Sequence, residues 1–297
     1  MSTLQKVWLI GADSFTGIHL IPTLEKENYH VDRTGVDITQ QQQVEEAMLR
    51  IQPDYIISLA AISFVPDGED ESIYAVNTLG PQNILEACLK LEQAPKKIIL
   101  ASSANIYGIQ AQEEMDESCT PNPINHYGCS KWAMEQIAAT YLEQLNIIIT
   151  RPFNYTGVGQ DIKFLVPKIV DHFKQKKTIL KLGNIDVWRD FSDVRWVSEV
   201  YTQLLGVLNP VVKPVNICSS TIISIREIIL TLQKLANYTF EVESNPELTR
   251  NLDIKRQKGN NEKLFKLLPD LAPPIAIEET LQWMLETLPE NEVKHDD

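Results

Sequence analysis

A tyrosine and a lysine four residues apart, Tyr127 and Lys131, are the pair in this chain best suited to chemistry. On a helix that spacing raises both side chains from one face, one turn apart. The residues that follow, Lys131 through Ala139, keep helical periodicity with few β-branched side chains. A free phenol titrates near pH 10 and is a poor acid or base at neutrality. An ammonium at about 4 Å, with an effective dielectric of about 20, attracts the phenolate by roughly 4 kcal/mol before desolvation is counted. At about 1.36 kcal/mol per unit, the phenol is expected to come down by roughly two to three units. There it could exchange a proton with an alcohol or a ketone. Ser103 ends a strand-like run and could bond the same oxygen; by residue type alone it is equally a turn or cap residue. Since Tyr-x-x-x-Lys also arises by chance on long helices, its weight comes from the elements around it.

Those elements alternate. Val7–Ile10 is short and apolar, as a buried parallel strand should be. Gly11-Ala12-Asp13-Ser14-Phe15-Thr16-Gly17 then opens a helix through Leu20, Ile21 and Leu24. Glycines there serve a tight turn and close approach of backbone to phosphate at a helix N-terminus. Ser14 stands where a middle glycine is expected; it gives up backbone freedom but can donate to a pyrophosphate. A second strand ends near Asp32-Arg33. The acid would suit a ribose 2′-hydroxyl and the guanidinium a 2′-phosphate, which leaves NAD and NADP open. Asp37 either meets an adenine or caps the helix carrying Val44, Ala47, Met48 and Ile51. Asp54–Ala61 is a buried strand whose end, Leu59-Ala60-Ala61, lets a flat ligand lie close. A long helix is expected over 73–91, containing Asn77, then a strand over Lys97–Ser103 that passes through Ala101, and another over Asn146–Pro152. This β-α-β-α-β-α-β-α-β order predicts an α/β protein with a doubly wound parallel sheet.

The second half is less regular. Residues 161–182 read as a loop and a helix, 183–194 as a strand, and 215–218 as a short strand. Ser224 and Glu227 form a capping box, and a last amphipathic helix is expected over 277–288, with a polar, frayed tail beyond it.

Composition narrows the class. The chain has 297 residues and a net charge of -13, which argues against nucleic acid or an anionic membrane as partner. No run approaches about 18 apolar residues and no leader-like segment opens the chain. Four cysteines without C-x-x-C spacing suggest free thiols in a reducing cytosol. Scattered histidines predict no metal site.

Assembled, the Gly11/Gly17 turn, Leu59-Ala60-Ala61, Val76-Asn77-Thr78-Leu79-Gly80, Ser102-Ser103 with Tyr107-Gly108, Tyr127/Lys131, Arg151-Pro152-Phe153-Asn154 and Arg189-Asp190-Phe191 resemble the extended short-chain dehydrogenase/reductases, in the NAD-dependent epimerase/dehydratase group. Gly183-Asn184 with Arg189-Asp190-Phe191, and Pro246 to Asp253, are similar to the GDP-mannose 4,6-dehydratase and GDP-6-deoxy-4-keto-hexose reductase branch.

The resemblance implies a Rossmann-type domain over 1–155, with 194–218 returning to it, and a smaller α/β sugar-nucleotide domain over 156–193 and 219–297. It implies that Tyr127, Lys131 and Ser103 are catalytic. Gly11, Asp13, Ser14, Phe15, Gly17, Asp32, Arg33, Asp37, Leu59, Ala60, Ala61, Asn77, Ala101 and Pro152, with Tyr127 and Lys131, would hold NADP or NAD. Ser63, Asn105, Asn154, Lys168, Arg189, Arg250 and Asp253 would meet the substrate; forked guanidinium donors suit a pyrophosphate. A homodimer through helices 79–92 and 130–144 is implied too.

One departure from the family pattern discriminates. A 4,6-dehydratase needs an acid/base carboxylate just after the catalytic Ser/Thr, whereas Ser103 is followed by Ala104-Asn105, and an amide does not trade protons at neutrality. The expectation is therefore reduction at C4 of a nucleotide-linked 4-keto-6-deoxy-hexose. The alternatives are C4 epimerisation with bound NAD, the GDP-mannose 4,6-dehydratase reaction, and a non-catalytic dinucleotide-binding regulatory subunit.

Overall fold

The computed structural model describes residues 4–63, 72–208, 214–245 and 254–287. In chain order its first part comprises β1 (Lys6–Ile10), α1 (Phe15–Lys26), β2 (His30–Asp32), α2 (Gln41–Ile51), β3 (Tyr55–Ser58), α3 (Ser72–Tyr74), a π turn over Ala75–Leu79, α4 (Gly80–Cys88) and β4 (Lys97–Ala101). A short 3-10 helix, Ala104–Tyr107, β5 (Glu114–Met115), α5 (His126–Ala139) and β6 (Ile147–Pro152) follow. The rest is β7 (Asn154–Thr156), α6 (Leu165–Lys174), β8 (Ile179–Leu182), β9 (Trp188–Asp193), α7 (Val194–Leu205), β10 (Val215–Ile217), β11 (Ile222–Ser224), α8 (Ile225–Ala236), β12 (Glu241–Ser244), β13 (Arg256–Gly259), α9 (Glu262–Leu267) and α10 (Ile277–Glu286).

Six strands form the main sheet in the order β2-β1-β3-β4-β6-β10, with every neighbouring pair parallel. Side chains alternate across it. Val7, Leu9, Ile57, Ile99 and Ile148 face one apolar layer with residues of α1, α7 and α9. Trp8, Ile10, Ile56, Ile98 and Ile147 face the other with residues of α2, α4 and α5. Burial of both faces is why these strands read as unbroken apolar runs. The strand order reverses at β1, between β2 and β3. The chain leaves β1 and β3 in opposite directions there, which opens a crevice at the carboxyl edge of the sheet.

The remainder is organised on β9. It pairs with β11 (antiparallel), β13 and β7, and β13 also carries β5. A parallel pair, β8 with β12, lies against α6, α8 and α10 around Phe173, Leu180, Ile228 and Leu281. The expected Ser224/Glu227 capping box starts α8.

Several boundaries differ from the sequence reading. The helix expected over 73–91 contains a π turn around Asn77, and its regular part ends at Cys88. The extra residue of a π turn points Asn77 inward, where its amide is fully buried and bonded. The helix bearing Tyr127 begins at His126, because the Asn125 side chain accepts from the Gly128 N–H, and it ends at Ala139, well short of residue 144. Asp37 does not cap α2; Gln40 occupies that position, and the Asp37 carboxylate accepts from the Thr39 N–H and hydroxyl instead. The strand over 183–194 is confined to Trp188–Asp193, and β8 lies inside the stretch read as loop and helix. The expectation of a frayed tail beyond 288 falls outside the described residues.

Candidate functional site

The crevice begins at the β1–α1 turn. Gly11 has φ +87°, and a Cβ there would meet the Ala60 backbone nitrogen at 3.1 Å. A Cβ on Gly17 would sit 2.4 Å from the carbonyl oxygens of both Gly11 and Ala12. Two positions of the turn therefore exclude a side chain. Ser14 does not, because its backbone is extended (φ -72°, ψ 161°), and its Oγ caps α1 by accepting from the Gly17 N–H at 3.1 Å. The hydroxyl proton of Ser14 remains able to donate.

Gly11, Asp13, Ser14, Arg33 and Ala60 line a cleft of about 210 Å³. A glycine cradle that a Cβ would fill, a helix N-terminus and a cleft beside the end of β2 fit a dinucleotide phosphate and its ribose. Arg33 pairs with Glu25 at 2.7 Å on the exposed rim. The Asp32 carboxylate accepts from the Thr34 N–H at 2.9 Å. Phe15 stacks on Tyr155, rings 6.0 Å apart and 11° from parallel, and the Tyr155 hydroxyl bonds Thr16 at 2.8 Å. Tyr155 is absent from the sequence reading; only its adjacency to Asn154 hinted at it.

Leu59 leaves β3 held by its N–H on the Ile10 carbonyl. The following residues, through Ala60 and Ala61 to exposed Ser63, are governed by Asn77. Its Oδ1 accepts from the Ile62 N–H at 2.8 Å, and its Nδ2 donates to the Ile62 carbonyl at 2.9 Å and to Ser130 Oγ at 3.1 Å. Asn77 thus joins the loop after β3 to α5 and acts on the crevice through that loop.

Ser103, Tyr127 and Lys131 gather at the carboxyl end of β4. Lys131 is 2% exposed and donates from Nζ to the Ala101 carbonyl at 2.8 Å. Burial lowers it to about 8, against the raising field of Glu135. Tyr127 contradicts the expected downward shift. Its phenol is pushed up to about 12 by burial, which outweighs the lowering hydrogen bond with Ser103, and Tyr155 raises it further. Desolvation favours the neutral form of both groups, so the protein's own field presents a phenol, not a phenolate.

Beneath lies a buried polar chain. Ser102 Oγ donates to Glu135 Oε1 at 2.5 Å, and Arg151 clamps both carboxylate oxygens at 3.0 and 2.7 Å. Arg151 also donates to the Tyr107 hydroxyl at 3.1 Å, which in turn donates to Asn216 Oδ1 at 2.6 Å. Glu135 and Arg151 are 2% and 3% exposed. Glu135 stands four residues beyond Lys131 and eight beyond Tyr127, a one-face spacing that could have revealed it. Pro152 closes β6 beside this chain.

The expected substrate residues are scattered more widely. Asn105 is exposed and bonds Ser103. Asn154 is exposed at the start of β7 and donates to the Asp190 carbonyl at 3.3 Å. Arg189 lies on β9 and donates to the Trp188 carbonyl, and Lys168 is on the exposed side of α6. Arg250 and Asp253 lie outside the described residues. Among the described residues no helix is long and apolar enough to cross a membrane.

Residues 7–218 match the NAD dependent epimerase/dehydratase family. The chain is 35% identical to a GDP-6-deoxy-D-talose 4-dehydrogenase of Aggregatibacter actinomycetemcomitans, over 89% of this chain and 91% of the relative. It is 30% identical to a GDP-6-deoxy-D-mannose reductase of Pseudomonas aeruginosa, over 78% and 79%. The solved structure of RMD from Pseudomonas aeruginosa, complexed with NADPH, is similar at 26% identity with a TM-score of 0.85, covering 95% of this chain and 96% of that one.

Proposed function

This chain belongs to the NAD dependent epimerase/dehydratase family, and from that premise we propose that it reduces the C4 ketone of a GDP-linked 4-keto-6-deoxy-hexose with NADPH or NADH. The observation that carries the reading is the meeting of Ser103, Tyr127 and Lys131 at the same carboxyl edge of the sheet as the glycine cradle, in a chain so extensively similar to GDP-deoxyhexose oxidoreductases.

The bound nicotinamide supplies the hydride. The chain's residues handle the oxygen. Tyr127, a neutral phenol, gives its proton to the C4 oxygen as charge develops there. Ser103 donates to the same oxygen as an electrophilic partner. Lys131, anchored on Ala101, holds the ribose and offsets the charge left on the phenol. The cradle of Gly11, Ser14 and Gly17 takes the pyrophosphate of the dinucleotide. Asn154, Lys168 and Arg189, with Arg250 and Asp253, take the nucleotide-sugar, whose subsite we assign to 156–193 and 219–297, while 1–155 and 194–218 carry the dinucleotide. A phenol kept neutral suits a proton donor better than a base, which favours reduction over oxidation of an alcohol.

We propose further that the chain works in the cytosol as a homodimer joined through α4 and α5. Leu79 and Leu89, 51% and 41% exposed at either end of α4, support that contact.

The test is direct. Purified protein given GDP-4-keto-6-deoxy-mannose should consume reduced nicotinamide one-for-one and yield a GDP-6-deoxyhexose. An epimerase would instead turn over on its bound NAD without consuming any, and that outcome would overturn the reading. Given GDP-mannose and NAD(P), the protein should form no 4-keto product, because Asn105 occupies the place of the dehydratase carboxylate.

A further inference from the structure

We propose that Asn105 is a positioning residue: it makes the Ser103 hydroxyl an obligate hydrogen-bond donor, and so sets the site's preference for a C4 ketone over the C4 alcohol. The inference rests on the reductase reading and deepens it.

A serine hydroxyl has one proton to give and two lone pairs to fill. On Ser103 both lone pairs face Asn105. The Asn105 backbone N–H donates to Ser103 Oγ at 3.1 Å, and Asn105 Nδ2 donates to the same oxygen at 3.1 Å. Ser103 is 5% exposed, which leaves water little part in the balance. The O–H is what remains, and it faces the Tyr127 phenol oxygen, with which Ser103 is hydrogen-bonded, at the place where a substrate oxygen would stand between them.

Asn105 is fixed relative to the phenol as well. It belongs to the 3-10 turn that Ser103 caps. Its carbonyl lies so close to α5 that a Cβ on Gly128, the residue after Tyr127, would stand 2.8 Å from the oxygen. The turn and the helix that carry the two hydroxyls are thus in contact at Asn105.

The chemical consequence is selective. A ketone oxygen offers only lone pairs, and it meets two O–H donors. An alcohol brings a proton that needs an acceptor; Ser103 has none left, so only the Tyr127 oxygen can take it, and one of the two donors is then lost to the alcohol. Sites built on hydrogen-bond complementarity discriminate strongly, because the mismatched partner leaves a polar group unpaired. Ketone binds, alcohol leaves, and the reduction is drawn forward.

Three proteins decide it: the parent, Asn105→Ala and Asn105→Asp. The ratio of the Kd for the GDP-6-deoxyhexose to that for GDP-4-keto-6-deoxy-mannose is measured without turnover in each. Asn105→Ala frees one lone pair and should cut that ratio about tenfold, the effect of one net hydrogen bond. Asn105→Asp can only accept, so it should turn the Ser103 O–H toward itself and lower kcat about 100-fold, within the range seen for one lost oxyanion donor, with KM little changed. Melting temperatures should stay at the parental value, since Asn105 is exposed. Variants that keep the parental ratio and kcat would overturn the proposal. A parent that consumes no reduced nicotinamide would instead sink the reductase reading, and the binding ratio still decides the role of Asn105.

Discussion

Lys131 Nζ donates to the Ala101 carbonyl at 2.8 Å, joining the helix that bears Tyr127 to the end of the central strand β4. Burial leaves this lysine at about 8 and the Tyr127 phenol at about 12. The reduction rate should therefore be level through neutrality and fall as pH rises through about 8, when the ammonium is lost while the phenol still holds its proton. In Lys131→Met that alkaline limb should vanish at a lower plateau. Tyr127→Phe should lose roughly 10²–10⁴-fold in kcat, the usual contribution of a general acid. A pH profile of kcat checks both; a limb that persists in Lys131→Met would contradict the assignment.

Arg33 lines the cleft at the β1–α1 turn that we assign to the dinucleotide, whereas the Asp32 carboxylate is turned to the Thr34 N–H. NADPH should accordingly bind more tightly than NADH. Arg33→Ala should reduce that preference about tenfold, in line with one charge-assisted hydrogen bond, and leave NADH binding unchanged. Fluorescence titration of both dinucleotides measures it.

The buried pair of Glu135 and Arg151 should make its presence felt when one partner is removed. Glu135→Gln or Arg151→Met leaves a buried group uncompensated, and each should cost about 3–5 kcal/mol in urea unfolding. Glu135→Leu combined with Arg151→Met should cost less than either single change. A double variant no better than the singles would show that the neighbouring Ser102 and Tyr107 bonds dominate.

Asp190 is fully buried and accepts from the Ser219 N–H and hydroxyl and from the Gly259 N–H. Burial still raises it to about 6 from 3.8. Between those values the folded protein binds more protons than the unfolded chain, so this group's contribution to stability declines as pH rises from about 4 to about 6. Relative to the parent, Asp190→Asn should gain about 3 kcal/mol across that window. Urea midpoints at a series of pH values give the difference curve, and a flat curve would refute the shift.

Much of this architecture is readable in the chain itself, where apolar strands are buried on both faces and glycine is sterically compelled. β1, β3, β4 and β6 announce themselves because each carries at least three consecutive buried apolar residues, and Gly11 and Gly17 because nothing larger fits. The π turn at Asn77 leaves no periodic trace, since one inserted residue looks like ordinary helical drift. Strands β5, β8, β12 and β13 are short and pair with partners distant in sequence, so local pattern does not define them. The site shows the same division. Tyr127 and Lys131 follow from spacing, but the direction of the phenol's shift depends on how deeply it is buried, and sequence carries no measure of that. The bonds of Asn105 to Ser103 depend on side-chain orientation, which is likewise invisible in one dimension.

The last strand of the main sheet, β10, enters only after the chain has passed through β7, α6, β8 and β9. A nascent polypeptide on the ribosome thus carries β6, paired with β4 through Ile147, Ile148 and Ile149, with its other edge at Thr150, Arg151 and Pro152 bare until residue 217 emerges. An unpaired, hydrophobic, parallel strand is a template for intermolecular association. Expression of residues 1–157 alone should yield aggregates, whereas a fragment reaching past residue 218 can satisfy that margin. Synthesis of the six-stranded sheet is finished, in the folding sense, only when the ribosome has also made β7 through α7.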